Sequence, residues 1–326
     1  MNFVAIGAGA GLVSALLIAV ITRGTGLALI LFLLAPVPVL VASLGWNHRA
    51  GLVAALTGGI ATAIVASPVA GFSFAVATAL PAWWLAYLAL LGRTHEDGSV
   101  EWYPLGNLLA WIAGTAALTY FAAAVLPDFD YQAYQTISRE AAEVVLRVQT
   151  GTPEGATIPP FGDIPAADVI ERLAAATPIF AAQGFTIVLI LYVWLSAKIV
   201  SASGRLARPW PYIPATQMPR GTLLVLALAA LAATIASGFV SVFGLALTGA
   251  LVMAFAIQGL AALHDMTRGR SGRMFILILA YILIFLSQGL VLLALILFGI
   301  ADTALGIRQR MHARVNGPKG PPSNRQ

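Results

Sequence analysis

The chain is a succession of long apolar runs separated by short polar segments. A transmembrane helix needs about 20 apolar residues, because each residue rises 1.5 Å and the hydrocarbon core is about 30 Å thick. Only 10% of the 326 residues are charged, whereas soluble domains average about 25%. No water-soluble core buries that much apolar surface. The sequence therefore predicts an all-α, polytopic bundle of transmembrane helices whose solvent is the lipid bilayer.

Nine apolar runs can be delimited by the polar, Gly or Pro residues that flank them. They are 1–22, 27–44, 51–66, 69–91, 106–126, 178–198, 222–241, 245–263 and 274–300. The chain accordingly divides into four parts: five spans in 1–126, a polar insert at 127–177, further spans in 178–300, and a basic tail at 301–326. The tail is polar enough to be expected to be disordered.

The Lys and Arg bias of the short loops predicts the orientation. The segments 198–220 and 268–273 are strongly basic, so we expect both in the cytoplasm, and counting back places the N-terminus there as well. The insert holds eight of the thirteen acidic residues, and we expect it outside a bacterial inner membrane. Nine spans would leave the basic tail outside too. A rival count of eight spans, with one run re-entrant or turned back, therefore stays open.

The insert contains a periodic apolar pattern. Its members recur at steps of three and four residues: Tyr134, Ile137, Ala141, Val144 and Val148. This spacing predicts an amphipathic helix, which either lies on the membrane surface or caps the bundle. A Gly/Pro-rich loop follows it, and a second short helix is expected from about Pro165 to Ala176.

The positions of the charged residues limit the function. A charge at mid-bilayer costs roughly 2.5–3.5 kcal/mol and is usually kept for function, yet every Asp, Glu, Arg and His here is expected at a span end, in a loop or in the tail. A proton-coupled transporter normally needs an intramembrane carboxylate, and a metalloprotease needs a His/Glu cluster. We therefore expect no enzyme, no metal site and no cofactor. The basic residues are too scattered for a nucleic-acid surface.

The polar and aromatic residues that remain inside the spans are neutral. The candidates for ligand binding are Trp83, Trp84, Tyr87, Asn107, Trp111, Gln183, Gln258 and Gln288. Amides in lipid must find partners across helices, so these residues can simply hold the bundle together. The alternative is a pocket in which aromatic rings give contact area and amides give hydrogen bonds, with the insert as its lid.

The first span carries a small residue at every fourth position. The four residues are Gly7, Gly11, Ala15 and Ala19. Small residues on one face allow helix backbones to approach closely in lipid. The helix that packs on this face belongs either to the same chain or to a partner subunit.

Two stretches resemble the YybS-like family of bacterial membrane proteins, whose function is unknown. The Pro-x-Pro of residues 33–39 and the His-Arg turn of residues 47–51 are similar to the family's second span and the turn after it. Residues 196–205 and 209–220 resemble its basic loop, which ends in Pro-Arg. That family is itself similar to the substrate-binding subunits of energy-coupling-factor transporters. The resemblance implies that Gly7, Gly11, Ala15 and Ala19 would meet a transmembrane coupling subunit that works with an ATPase.

Together these features favour a solute-binding or transport subunit for a small neutral metabolite. The chain has no Walker motif, so a partner ATPase would have to supply the energy. The alternative is a non-transporting scaffold or regulator of envelope proteins, in which the small-residue face and the insert bind other proteins.

Overall fold

The computed structural model describes residues 2–125, 129–287 and 289–315, and nearly all of their regular structure is helical. Seven helical segments are long and apolar enough to cross a membrane, and three further apolar helices are shorter. The predicted all-α membrane helix bundle is confirmed. Gln288 and the tail beyond residue 315 lie outside the described residues.

The described chain contains fourteen α-helices and one short hairpin of two strands. The helices are α1 (Phe3–Ala19), α2 (Gly26–Leu33), α3 (Pro36–Gly45), α4 (His48–Val65), α5 (Pro68–Phe74), α6 (Leu80–Ala89), α7 (Leu105–Val125), α8 (Tyr131–Thr150), α9 (Ala166–Ala202), α10 (Gly221–Ile235), α11 (Gly238–Met266), α12 (Arg273–Leu286), α13 (Leu290–Leu305) and α14 (Ile307–Val315). The antiparallel strands are β1 (Gly92–Thr94) and β2 (Val100–Trp102).

Local sequence signals fix several helix ends. The side chain of Asn47 accepts a hydrogen bond from the Ala50 N–H at 2.9 Å, and that of Asp130 accepts one from Gln132 at 2.8 Å. Each supplies an acceptor to an N–H group that has no helical partner. Pro81 has no N–H with which to continue the helical ladder, and a π-helical turn, Ala75–Ala79, joins α5 to α6 just before it.

The helix ends collect on two opposite faces of the bundle. On one of them, the basic face, Trp83 Nε1 donates to the His48 carbonyl at 2.9 Å and Arg208 donates to the Ala89 carbonyl at 3.2 Å. These bonds join the start of α4, the end of α6 and the loop 203–220. On the other, the insert face, the hydroxyls of Tyr120 in α7 and Tyr134 in α8 lie 3.1 Å apart. The insert therefore sits at the end of the bundle opposite the loop 203–220.

The small-residue face of α1 packs against α4 of the same chain. A Cβ atom on Gly7 would collide with the Ala50 carbonyl oxygen, and one on Gly11 would collide with that of Ala54. Ala15 is buried as well, and Ala19 is half-buried. Of the two alternatives drawn from the sequence, this is the intramolecular one. With α4 in place, the surface around Gly7 and Gly11 is not open to the predicted partner subunit.

The insert is continuous with the span that follows it. The sequence analysis predicts a helix end near residue 176 and a new span from Pro178, but α9 runs unbroken from Ala166 to Ala202 with Pro178 buried inside it. Membrane helices tolerate such a proline when their neighbours satisfy the freed backbone group. At 37 residues, α9 is about 55 Å long. Its first turns therefore extend beyond a bilayer core, where they pack on α8.

The last apolar run is a helical hairpin rather than the predicted single helix over 274–300. The chain turns at Gly289, whose φ of 106° suits a residue without a side chain, and α13 then packs on α11 through Gly259 and Gly299. The Gln217 side chain, in the loop before α10, donates to the Asp302 carbonyl at 3.2 Å, so α13 ends at the basic face. The hairpin thus returns to the face where α12 begins, as in the re-entrant alternative.

The predicted disordered tail is helical in its first part. Residues 301–305 complete α13, and α14 covers Ile307–Val315. The two helices are joined at Gly306, which has a φ of 62°. This segment is ordered in spite of its polarity because its acidic and basic side chains neutralise each other in a buried contact, which is described below.

The close packing of α1 on α4 predicts unequal effects for two neighbouring glycines. Gly11→Leu should lower the free energy of unfolding by about 1–3 kcal/mol, because the added atoms overpack a backbone contact. Gly9→Leu is the matched control, since a Cβ at Gly9 meets nothing within 4 Å. Thermal unfolding of the detergent-purified variants gives the melting temperature of each. Equal melting temperatures for the two variants would contradict the α1–α4 contact.

Candidate functional site

Four of the predicted site residues form one aromatic cluster between α6 and α7. Trp83 and Tyr87 stack with ring centroids 6.2 Å apart, and Trp84 meets Trp111 edge-on at 5.3 Å. Trp83, Trp84 and Tyr87 come from successive turns of α6, whereas Trp111 comes from the second turn of α7. Edge-to-face and offset pairs of this kind are the favoured aromatic geometries, so the cluster is a stable wall.

Three of these rings line a cavity of about 660 Å³, which is open at the surface of the bundle, since its lining residues Trp111 and Leu118 are 43% and 53% exposed. It runs between the α5–α6 segment and α7 from the tryptophans toward the insert face. Its walls are Val76, Leu80, Pro81, Trp83, Trp84, Trp111, Thr115, Leu118, Thr119, Phe121, Ala122, Val125 and Phe129. No charged side chain is among these residues, and the polar side-chain groups that they contribute are the hydroxyls of Thr115 and Thr119 and the indole N–H groups of the three tryptophans. We call this cavity the aromatic cavity.

The π-helical turn and Pro81 shape one wall of the aromatic cavity. Val76 belongs to the turn Ala75–Ala79, and Leu80 and Pro81 follow it directly. A π-turn adds one residue to a helical turn and is often found at functional sites. The turn lies directly before the two tryptophans, so the orientation of Trp83 and Trp84 toward α7 depends on this local irregularity.

The remaining predicted site residues do not join the aromatic cavity. Asn107 lies one turn before Trp111 on α7, is half-buried and is not among the lining residues. Gln183 is half-buried in α9 and is likewise not among them. Gln258 belongs to a separate network near the basic face. Gln288 lies outside the described residues, so the structure places four of the eight candidates together.

Gln258 is fully buried and joins α11, α13 and the loop before α10. Its Oε1 accepts a hydrogen bond from the Met218 N–H at 2.8 Å. Its Nε2 lies 3.0 Å from Asp302 Oδ2, 2.8 Å from Thr303 Oγ1 and 3.2 Å from the Gly299 carbonyl oxygen. With its amide fully engaged, Gln258 has a structural role here and no free group for a ligand.

Asp302 and Arg308 form a buried ion pair beside Gln258. Arg308 Nη2 donates to Asp302 Oδ2 at 2.8 Å, and the guanidinium also donates to the carbonyls of Pro214 at 2.6 Å and Thr216 at 2.7 Å. Asp302 lies at the end of α13, which is one of the expected places for a charge, but Arg308 belongs to α14 and not to the disordered tail that the sequence analysis predicts. The sequence signal was a single acid directly after the last apolar run. We call the pair, together with Gln258, the C-terminal lock.

The insert helix α8 turns a different face to the bundle than the periodicity suggests. Ser138, Ala142 and Leu146 are buried, whereas Val144 and Val148, members of the predicted apolar face, are 59% and 77% exposed. Val144 and Val148 therefore do not cap the bundle, although Tyr134, at the start of the same face, contacts Tyr120 of α7. Beneath α8, Arg139 pairs with Glu171 of α9 at 2.7 Å.

Comparison with known proteins gives one match. A family described as "Predicted membrane protein (DUF2232)" matches residues 12–303. No curated protein matches the chain, and no solved structure matches it.

The C-terminal lock predicts a large stability loss when one member is removed. Asp302→Asn should lower the free energy of unfolding by about 3–5 kcal/mol, because it leaves the Arg308 charge buried without a counter-charge. Glu171→Gln, which breaks the exposed pair with Arg139, should cost only about 0–1 kcal/mol. Denaturant titration of the two variants in detergent compares their free energies of unfolding.

A second variant tests the cause of that loss. Asp302→Leu combined with Arg308→Met removes both charges, so it should be less destabilising than Asp302→Asn. If Asp302→Asn were no more destabilising than Glu171→Gln, the result would contradict a buried ion pair between Asp302 and Arg308.

Proposed function

We propose that this chain, which belongs to the DUF2232 family of predicted membrane proteins, is the solute-binding subunit of a transporter for a small, neutral, largely apolar metabolite. The observation that carries this proposal is the aromatic cavity, which has three tryptophans in its wall and no charged side chain among the described residues that line it. Its volume of about 660 Å³ falls in the usual range of small-molecule sites, roughly 300–1,000 Å³.

The lining of the aromatic cavity selects for an uncharged ligand. Burying an ionised group without a partner costs many kcal/mol, and the described lining offers no counter-charge. Stacking on an aromatic face is worth about 0.5–1.5 kcal/mol per pair beyond the apolar area that is buried. The hydroxyls of Thr115 and Thr119 can each donate or accept one hydrogen bond. A planar or ring-bearing metabolite with one or two polar groups fits these contacts.

Energy for transport is proposed to come from a partner ATPase. Among the described residues, the buried carboxylate is that of Asp302, and it is held by Arg308 and Gln258. Proton-coupled transporters carry an intramembrane carboxylate on their transport pathway, and Asp302 is not among the described residues that line the aromatic cavity. A coupling subunit would have to bind a surface other than the one around Gly7 and Gly11, which α4 covers.

The proposed orientation places the basic face in the cytoplasm of a bacterial inner membrane. That face carries Arg205, Arg208, Arg268, Arg270 and Arg308, and short cytoplasmic loops are enriched in such residues. With the α12–α13 hairpin as a re-entrant element, the chain has eight spans, and both ends of the described chain lie in the cytoplasm. The acidic insert then lies outside.

A second candidate function is that of a scaffold for envelope proteins. The observation that favours it is the exposed apolar face of α8, where Ile137, Val144 and Val148 lie one helical turn or more apart on one side of the insert. An apolar stripe exposed outside the membrane is typical of protein-binding surfaces. In this role the aromatic cavity would be filled by lipid and would bind no metabolite.

A ligand screen separates the two functions. Thermal unfolding of the detergent-purified protein against a panel of neutral vitamins and aromatic metabolites should find a stabilising compound, which at about 100 times its Kd adds about 2.7 kcal/mol to the free energy of unfolding. Trp111→Ala and Trp84→Ala should each lower the affinity for that compound about tenfold, which is about 1.4 kcal/mol of binding free energy.

Two variants serve as controls for that screen. Trp102→Ala in β2 and Asn107→Ala in α7 lie outside the aromatic cavity, so both should leave the stabilisation unchanged. If Asn107→Ala abolished the shift while Trp111→Ala kept it, the ligand would bind elsewhere. If no compound stabilised the protein, while Val144→Asp released a bound envelope protein, the scaffold function would be favoured.

Cysteine labelling tests the proposed orientation, since the chain has no natural cysteine. Glu140→Cys in α8 should react with a membrane-impermeant maleimide in intact cells. Arg270→Cys and Arg310→Cys, both exposed on the basic face, should react only after the membrane is permeabilised. Labelling of position 310 but not 270 in intact cells would contradict the re-entrant hairpin and support nine spans.

A further inference from the structure

A second cavity lies at the basic face, beneath the loop 203–220. Its volume is about 190 Å³, and it is separate from the aromatic cavity. Its walls come from α7, α9 and α11, and its roof comes from the loop: Leu44, Ala89, Leu90, Leu105, Leu108, Leu109, Ile112, Ile190, Val193, Trp194, Ala197, Leu206, Arg208, Trp210, Pro211, Ile213, Thr216 and Ile257. Arg208 is the charged member of this set. We call it the Arg208 cavity.

Arg208 is half-buried and forms no ion pair with an acidic side chain of the described residues. Its Nη1 donates to the Ala89 carbonyl at 3.2 Å, and the ion pairs found among the described residues do not include it. No carboxylate is among the residues that line the cavity. Burial lowers the pKa of the Arg208 guanidinium, yet an arginine stays charged in proteins. A half-buried cation of this kind is best satisfied by an anion from outside the chain.

The surroundings of the cavity mouth are also positive and aromatic. Lys198 Nζ lies 3.9 Å from the ring centroid of Trp210, which lines the cavity, and the Arg205 guanidinium lies 4.7 Å from that of Trp46. These cations sit at the end of α9 and in the loop that follows it. Tryptophan and basic side chains together mark the depth at which lipid headgroups meet acyl chains. The mouth therefore lies at the level of the bilayer interface.

The size of the cavity sets what can enter it. A cavity of about 150 Å³ accommodates benzene, so 190 Å³ holds only a short stretch of hydrocarbon. A complete solute with several rings would not fit, but the first carbons of a long chain would. Trp194 on the α9 wall is 45% exposed, so the rest of such a chain can continue along the outside of α9 into the bilayer.

We propose that the Arg208 cavity binds an anionic amphiphile. The carboxylate or phosphate head accepts hydrogen bonds from the Arg208 guanidinium, and the first carbons of the tail occupy the space between α7, α9 and α11. The planar guanidinium suits both kinds of head, because each presents two oxygens to its N–H groups. This site is independent of the aromatic cavity and of the ligand proposed for it.

The test compares probes that share a tail or share a head. Thermal unfolding of the full chain in a neutral detergent is followed with dodecanoate, dodecyl phosphate, dodecanol and inorganic phosphate. The two anionic amphiphiles should stabilise the protein at least tenfold more potently than dodecanol, and inorganic phosphate should have no effect. Dodecanol as potent as dodecanoate would overturn the role of the head, and inorganic phosphate as potent as dodecyl phosphate would overturn the role of the tail.

Two pairs of variants assign the effect to the cavity. Arg208→Gln should weaken the binding of dodecanoate and dodecyl phosphate at least tenfold, whereas Arg270→Gln, which removes an exposed cation that does not line the cavity, should not. Ala197→Phe fills the cavity and should weaken the binding of both probes although the Arg208 charge is intact. Ala202→Phe, at an exposed position at the end of α9, should not weaken it. Equal affinities within either pair would overturn the site, and Arg208→Lys keeps a charge there if Arg208→Gln fails to fold.

Native mass spectrometry identifies the natural source of the anion. Protein taken from nanodiscs of phosphatidylglycerol and phosphatidylcholine should retain phosphatidylglycerol if the source is a lipid headgroup, and Arg208→Gln should retain at least tenfold less of it. If free fatty acid is retained instead, and is lost in Arg208→Gln, the source is a free amphiphile. Retention of either molecule at the same level in Arg208→Gln and in the unaltered chain would overturn the proposal.

Discussion

The bundle depends on one constraint: the hydrocarbon of a bilayer offers no hydrogen bond, so buried polar groups must find partners within the protein. The C-terminal lock meets this constraint in a single network. Gln258, Asp302 and Arg308 satisfy one another and three backbone groups of the loop before α10. This network joins α13 and α14 to α11 and to the loop before α10. A polar tail thereby becomes part of the fold.

The polar groups of the C-terminal lock have a structural role, whereas the aromatic cavity is the candidate functional site. The polar side chains of the C-terminal lock are engaged in hydrogen bonds within the protein. The aromatic cavity, in contrast, is bounded by rings, aliphatic side chains and two hydroxyls. Its tryptophans are positioned by a π-helical turn and Pro81, which interrupt an otherwise regular helix. On the basic face, Arg208 is half-buried with a carbonyl as its hydrogen-bond partner, and Trp46 Nε1 and His48 Nδ1 are buried without one among the described residues. The two cavities therefore differ in charge, size and depth.

Hydropathy was sufficient to predict the membrane bundle, because the length of an apolar run is a local property. It was also sufficient to bring Trp83, Trp84 and Tyr87 together on one helix. It could not show that the last run folds back at Gly289, since a span and a re-entrant hairpin are equally apolar. The pairing of Gln258 with Asp302 joins residues 44 positions apart and leaves no periodic signal. The sequence left open whether the apolar face of α8 meets the bundle, because residues outside that face, such as Ala142 and Leu146, can also pack against neighbouring helices.

The position of Arg308 near the end of the chain has a consequence for biogenesis. Its bonds to Pro214 and Thr216 join residues more than 90 positions apart, so they form only after the ribosome has delivered the whole membrane domain. Until then, the loop 213–218 and the amide of Gln258 lack their final partners. A truncation before residue 308 would therefore leave an inserted protein that lacks the C-terminal lock. Such a protein is the kind of substrate that membrane quality-control proteases recognise.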